Sequence, residues 1–332
     1  MVKARVGIIG CGIGNLHAGN LARLDNGELA ALCDLDPKRL QEATDKHGCR
    51  GFTSVETMLD TAPLDAVLIC TPPYVRLPLI EQIAARGLAV FCEKPPASDM
   101  ATARAVQRVL ERAQVVNSVG FMYRWMQAAD FAKSLIADRP VLVCQITGIW
   151  EVLFWAHDGK ISRDYFYRDR AGGPLVEQGV HLIDAARFVL NDEVARIHAR
   201  GANVVNSLSE TFTVEESIQT SMQWRKGTVG SHVHCWAHHG QVFQILFAGV
   251  DFALTLDFGT NRVFGRSDGE AIDRKFDDEY YVTELRGFCQ AVLNHDQSLI
   301  RGSYADACRT LAVATTAMQS IDMGLDLPVP HW

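Results

Sequence analysis

Val6-Gly7-Ile8-Ile9-Gly10-Cys11-Gly12-Ile13-Gly14 is the stretch that decides the fold. A short apolar run suited to a buried strand ends in glycines at alternate positions, and a helical pattern, Leu16–Leu24, opens directly behind them. Glycines in such a turn permit a sharp strand-to-helix connection and let backbone N–H groups at the helix start approach a pyrophosphate. The spacing departs from the commonest fingerprint: the third glycine comes one residue early, and Asn15 stands in its usual place. A glycine-rich turn alone is equally compatible with a tight connection that binds nothing. Asp34 supplies a second signal. It ends the second apolar run, 20 residues after Gly14, where a carboxylate can accept hydrogen bonds from adenosine ribose hydroxyls and repel a 2′-phosphate. Gly10, Gly12, Ile13, Gly14 and Asp34 are therefore candidate dinucleotide-binding residues. NAD is expected over NADP, although Lys38 and Arg39 could accommodate a phosphate.

Working outward, the first 120 or so residues alternate apolar runs with helical patterns. Strands are expected at Val6–Ile9, Leu29–Cys33, Ala66–Cys70, Ala89–Cys92 and Val115–Val119, with helices near Pro37–Lys46, Val75–Arg86 and Met100–Arg112. Continuous runs of Val, Ile, Leu, Ala and Cys suit strands buried on both faces, and the alternation argues for right-handed βαβ units: a doubly wound parallel sheet of the Rossmann type. The rhythm changes near residue 122. A helix at Gln127–Ala137, a strand at Val141–Trp150 and a charged, aromatic loop to Arg170 precede a helix starting at Pro174. Ala195–Phe264 reads mostly as strands joined by short turns, hence an antiparallel or mixed sheet, and helices at Tyr281–Leu293 and Tyr304–Met323 close the chain. The expected division is a dinucleotide-binding domain over 1–121 and an α/β domain over 122–332.

Bulk properties narrow the function. The 332 residues are 48% hydrophobic and 21% charged, as in a globular protein with a full core. A net charge of −7 argues against a nucleic-acid partner. No apolar run is long enough to span a bilayer, and no signal-peptide pattern opens the chain. Nine scattered cysteines without a C-x-x-C pair read as buried thiols in a reducing compartment, so the cytoplasm is expected. His232 and His234 would share one face of a strand, but no Cys or carboxylate joins them at ligand spacing. No metal is expected, and a polar sheet face or a subunit interface is the preferred reading.

Phe91-Cys92-Glu93-Lys94-Pro95-Pro96 closes the apolar run at Ala89–Cys92, and Thr71-Pro72-Pro73 follows the run at Ala66–Cys70. Together with Gly10–Gly14, with Gly120-Phe121-Met122-Tyr123-Arg124, and with the block from Gly172 to Asp184, they resemble the glucose–fructose oxidoreductase, inositol dehydrogenase and rhizopine-catabolism (Gfo/Idh/MocA) family. The resemblance implies a Rossmann domain followed by an α/β domain with an open, mostly antiparallel sheet that often mediates oligomerisation, so a homodimer or homotetramer is expected. It implies a substrate among sugars, inositols and related polyols, places Glu93 and Lys94 beside the nicotinamide, and lines the cofactor cleft with Thr71 and Pro72. Arg76 stands where relatives often carry His, so a cofactor-side contact is expected to differ.

The chemistry can be argued from the residues as well. Oxidising a secondary alcohol requires removal of a hydroxyl proton while hydride leaves. Lys94, at a strand end where ligands of open α/β sheets bind, can hold the substrate oxygen and relay its proton. Glu177 and His181, four apart on a helix, share a face, with His181 the general base or proton shuttle because imidazole titrates near neutrality. Many relatives carry Asp where Glu177 stands, which leaves open whether it touches substrate or orients His181. Asp184, on the same side, either supports this pair or meets substrate. Tyr123, Arg124, Trp155 and Tyr165 are further substrate candidates; the aromatics of the 150–170 loop suit either a sugar ring or an oligomer contact. The expected activity is NAD-dependent dehydrogenation of a polyol. Alternatives are an NADPH-linked ketosugar or aldehyde reductase, redox-assisted elimination with tightly held NAD, and a catalytically silent cofactor-binding regulator.

Overall fold

The computed structural model describes residues 2–332, and the chain divides into two compact units. The first comprises Met1–Ala97, Ala101–Trp125 and Glu279–Ala307; the second comprises Ser98–Met100, Met126–Asp278 and Cys308–Trp332.

In the first unit the apolar runs become six parallel strands: β1 (Ala4–Ile9), β2 (Gly27–Cys33), β3 (Arg50–Phe52), β4 (Ala66–Ile69), β5 (Ala89–Cys92) and β6 (Asn117–Val119). Helices α1 (Gly14–Leu21), α2 (Pro37–His47), α3 (Val55–Thr61), α4 (Arg76–Ala84) and α5 (Met100–Ala113) follow β1 to β5 in turn. The order β3-β2-β1-β4-β5-β6 reverses between β1 and β4, and doubly wound sheets bind ligands beyond the strand ends at such a switch point. Every residue of β4 and β5 is buried, which is why those sequences read as unbroken apolar runs. The helix Tyr280–Asn294 returns to this unit from far along the chain. Its Val282, Leu285, Phe288 and Val292 share a core with Val6, Ile8 and Leu21, and Phe288 meets Phe91 edge-on at 5.4 Å. Burying a Leu or Phe contributes about 1.5–3 kcal/mol, so this one helix face is a substantial share of the unit's stability.

The second unit begins with α6 (Gln127–Ile136), β7 (Val141–Ile149), α7 (Val152–His157) and α8 (Arg168–Ala171). The segment expected as a loop over 150–170 thus holds α7, a 3₁₀ turn at Arg163–Phe166 and α8; its apolar residues Val152, Leu153, Ala156 and Phe166 bury against Phe212 and Trp236. The helix expected from Pro174 opens as a π-helical turn, Leu175–Gly179, and continues as α9 (Val180–Leu190). After it come β8 (Val194–Ala202), β9 (Ser217–Trp224), β10 (Val229–Cys235), β11 (Val242–Gly249), β12 (Phe252–Asp257), β13 (Arg262–Ser267) and β14 (Glu270–Lys275); the chain then passes through α10 (Tyr280–Asn294), the helix of the first unit described above, before α11 (Tyr304–Met323) and β15 (Leu327–Pro328). The nine-stranded sheet runs β14-β13-β12-β11-β7-β10-β9-β8-β15, with β7 and β10 parallel and the other neighbours antiparallel. Its strands alternate: Ile218, Met222 and Trp224 of β9 are buried while Gln219, Ser221 and Gln223 are exposed, so one face is covered and the other open. Among the described residues, no helix is long and apolar enough to cross a membrane.

Candidate active site

Three glycines shape the turn after β1, each for a different reason. Gly10 sits at φ +94°, and a Cβ there would lie 2.8 Å from the Cys70 carbonyl oxygen. A Cβ on Gly14 would lie 2.8 Å from Ile8 Cγ2, so its absence lets α1 pack tightly on β1. A Cβ on Gly12 would meet nothing within 4 Å, which leaves the backbone open to approach. Tight turn, close helix–strand packing and free approach are the three roles glycines take in a dinucleotide fingerprint. The early third glycine therefore performs the packing role, and Asn15 is occupied instead by His47, whose Nε2 lies 2.6 Å from its Oδ1.

Asp34 is buried at the end of β2. Its Oδ2 accepts the Cys11 N–H at 2.7 Å and its Oδ1 accepts the Asp36 N–H at 2.9 Å, which ties the end of β2 to the glycine turn. A carboxylate has about four acceptor positions, so capacity remains for a ribose diol. Arg39 lies 3.7 Å from both Asp34 and Asp36, and its charge is shared between them. Burial and the Asp34 charge push the Cys11 thiol up to about 12, so no thiolate opposes an anion at the turn near neutral pH. Leu35 is 85% exposed and Ile13 43%, apolar surface of the kind an adenine ring covers, while the buried Thr71 hydroxyl lacks a hydrogen-bond partner. Pro72 lies exposed beside it. These residues fit a dinucleotide.

At the end of β5, Glu93 is buried and held from two sides. Oε1 lies 2.6 Å from His17 Nε2, and Oε2 accepts the Lys94 N–H at 3.1 Å. Gly120 leaves room for it, since a Cβ there would stand 3.2 Å from Oε1. Burial pushes the Glu93 carboxyl up, but the His17 hydrogen bond and the charges of His17, Lys94 and Arg76 outweigh this and hold it below the usual range. His17 is wholly buried on α1, edge-on to Phe91 at 5.7 Å and to Tyr281 at 6.2 Å. The helix that begins at the glycine turn is thereby fastened to the carboxylate beside Lys94. Sequence reading missed His17; three residues past Gly14 on a helix facing the sheet, a histidine was the available signal. Arg76, buried at the start of α4, binds the carbonyls of Thr71, Glu93 and Pro95.

Two of the substrate candidates lie in the same unit. Tyr123 is half-buried against Tyr280 at 6.2 Å between ring centroids, and burial followed by the Tyr280 charge raises its hydroxyl's pKa. Arg124 is buried, paired with Asp306, and donates to the Arg301 carbonyl at 2.6 Å.

In the second unit Glu177 lies in the π-helical turn and His181 in the first turn of α9, both buried. The wider π turn replaces the regular i,i+4 spacing, and π turns inside helices concentrate at functional sites. Gln178 anchors it, accepting the Trp236 indole N–H at 2.9 Å. Asp184 is wholly buried and accepts the Thr310 hydroxyl at 2.9 Å, with Arg187 3.6 Å away, so it braces α9. Trp155 meets Trp150 edge-on at 5.2 Å, and Tyr165 meets Trp236 at 6.1 Å between ring centroids.

His232 and His234 correct an expectation. They lie wholly buried on the covered face of β10 instead of a polar face or interface, 5.3 Å apart at their centroids. A Cβ on Gly179 would stand 3.3 Å from the His232 ring, and one on Gly148 2.7 Å from His234 Nδ1. Burial, with the neighbouring His234, lowers His232 far below its ordinary value, and burial pushes His234 down to about 3, so both are neutral near pH 7. Among the described residues, no three His, Cys, Asp or Glu side chains gather as a metal site.

A doubly wound sheet with a dinucleotide turn, an acidic residue at the end of β2 and a Glu-Lys pair at the end of β5 defines an NAD-binding oxidoreductase. Residues 4–121 match the family described as "Oxidoreductase family, NAD-binding Rossmann fold", and residues 148–251 match the "GFO/IDH/MocA C-terminal domain". The chain belongs to the Gfo/Idh/MocA oxidoreductase family, whose members act on CH–OH groups. It is 29% identical over 335 residues to the rhizopine catabolism protein MocA of Rhizobium meliloti, covering 97% of each chain. It is 28% identical over 227 residues to an inositol 2-dehydrogenase of the same species, covering 68% of this chain and 67% of the relative. A levoglucosan dehydrogenase solved with NADH and levoglucosan superposes with a TM-score of 0.88 at 19% identity, covering 99% of this chain and 100% of that one, and so shares the fold.

Proposed function

We propose that this protein oxidises a secondary hydroxyl of a sugar, inositol or related polyol, with NAD preferred over NADP. The observation that carries the reading is the buried His17–Glu93 pair beside Lys94 at the end of β5, in the unit that also holds the glycine turn. NAD, when bound, supplies the hydride acceptor. Gly10, Gly12, Ile13 and Gly14 would face its pyrophosphate, Asp34 its ribose diol, and Thr71 and Pro72 its nicotinamide half. Lys94 holds the substrate oxygen and relays its proton; in the second unit His181 is the candidate base, with Glu177 orienting the imidazole or binding a substrate hydroxyl. Sharing of Arg39 between Asp34 and Asp36 supports the NAD preference, because a 2′-phosphate would have to displace those contacts.

Self-association belongs to the same proposal. Val143 and Val229 are register partners on β7 and β10, 43% and 62% exposed, with Leu142 nearby, and a second copy of this sheet face would cover them. Nine free thiols suit a reducing, cytoplasmic setting. The test is a panel of sugars, inositols and other polyols incubated with purified protein and NAD or NADP, followed by reduced-cofactor absorbance and paired with sedimentation. NAD-linked turnover of a panel member by a dimer or tetramer is expected; turnover confined to NADPH-driven carbonyl reduction would overturn the direction and cofactor assigned.

A further inference from the structure

Arg76 is 3% exposed, yet its partners are main-chain carbonyls and one thiol. Nε and Nη2 donate to the Thr71 carbonyl at 2.9 and 2.6 Å, Nη1 donates to the carbonyls of Glu93 and Pro95, and Nη2 reaches the Lys94 carbonyl at 3.5 Å. Cys92 Sγ lies 3.6 Å from Nη1. One side chain therefore holds the carbonyl of Lys94 and those on either side of it, and ties all three to the loop after β4. Burying a guanidinium is costly unless its donors are satisfied, so these carbonyls cannot move far without exposing an unpaired charge to a dry interior.

We propose that Arg76 is a positioning residue that fixes the backbone of Lys94, an inference that rests on the reading of Lys94 as the proton relay. The Lys94 ammonium stands on a flexible stem, and its reach is defined only if its Cα is fixed. A planar five-donor guanidinium can span carbonyls on two loops at once; an ammonium, with its donors on a single nitrogen, cannot. Arg76→Lys keeps the charge and removes the span.

The experiment compares Arg76→Lys, Arg76→Ala with added guanidinium, and Lys94→Ala. The readouts are amide hydrogen exchange, NAD affinity by fluorescence titration, and steady-state kinetics on the substrate found by the panel. In Arg76→Lys, exchange at Glu93, Lys94 and Ala97 should rise about tenfold while β1 amides stay as in wild type. A misplaced catalytic group costs about 10²-fold, so kcat should fall on that scale, with KM and NAD affinity within about threefold of wild type. Guanidinium should restore part of the Arg76→Ala rate. Unchanged kcat in Arg76→Lys beside a disabled Lys94→Ala would overturn this inference alone. Exchange rising equally in β1 would reduce Arg76 to a general structural role and overturn it too. Normal turnover in Lys94→Ala would overturn the reading of Lys94 and this inference with it.

Discussion

Replacing His17 by Phe isolates the hydrogen bond that secures Glu93. Phe keeps a ring of similar size edge-on to Phe91 and Tyr281 and deletes the nitrogen that lies 2.6 Å from Glu93 Oε1. Glu93 then retains the Lys94 N–H but loses its side-chain partner in a buried site. A hydrogen bond to a charged group contributes about 1.5–3 kcal/mol, and the full amount is at stake because water cannot replace the donor. At about 2–4 °C per kcal/mol for a folding unit of 150–250 residues, the midpoint of the unit that holds Glu93 should fall by about 3–12 °C at pH 7. The pH dependence has a definite sign. Glu93 is held below its ordinary value in the fold, so its contribution is complete above that ordinary value and is lost as pH falls through the lowered one. In His17→Phe burial prevails and the carboxyl moves up, so the gap between wild type and variant should be widest near neutrality and close in acid. Thermal unfolding by circular dichroism at pH 7 and pH 4 measures both. Equal midpoints at pH 7, or a gap that does not change with pH, would refute the pairing.

Asp34→Ala removes the proposed ribose acceptor and the tie to the Cys11 N–H, and should lower the preference for NAD over NADP about tenfold, or 1.4 kcal/mol, in paired titrations. The oxidation rate of wild type should rise with pH as a base loses its proton, and His181→Ala should remove or displace that limb in a kcat-against-pH profile. Exhaustive chelation should leave turnover intact, with elemental analysis finding no stoichiometric metal.

The Rossmann unit was legible because its signals are local. The glycine turn, Asp34 at its fixed remove and the unbroken apolar runs of β4 and β5 each follow from a few adjacent residues. The short β3 escaped because, of its three residues, only Phe52 is buried, too little to make a period. The return of α10 to the first unit was illegible for another reason: its apolar face shows that it packs, but not on what. Glu177, His181 and Asp184 were expected on one helix face, yet an α-helical wheel cannot anticipate a π turn, nor that Asp184 points to Thr310. His232 and His234 were misjudged because alternation along a strand identifies which residues share a face without saying which face is covered. His17 and Arg76 act across long loops, and their partners, a carboxylate and backbone carbonyls at the end of β5, come together only in the folded sheet.

The central claim is that Lys94 relays the proton while NAD accepts hydride, and it is tested most directly by measuring NAD affinity and turnover together in Lys94→Ala. The variant should bind NAD with nearly wild-type affinity, since the pyrophosphate and ribose contacts are proposed at the glycine turn and Asp34. Its kcat should fall by about 10²–10⁴-fold, the range for losing a positioned acid–base group. Near-normal kcat with the cofactor bound would contradict the account and move the chemistry elsewhere.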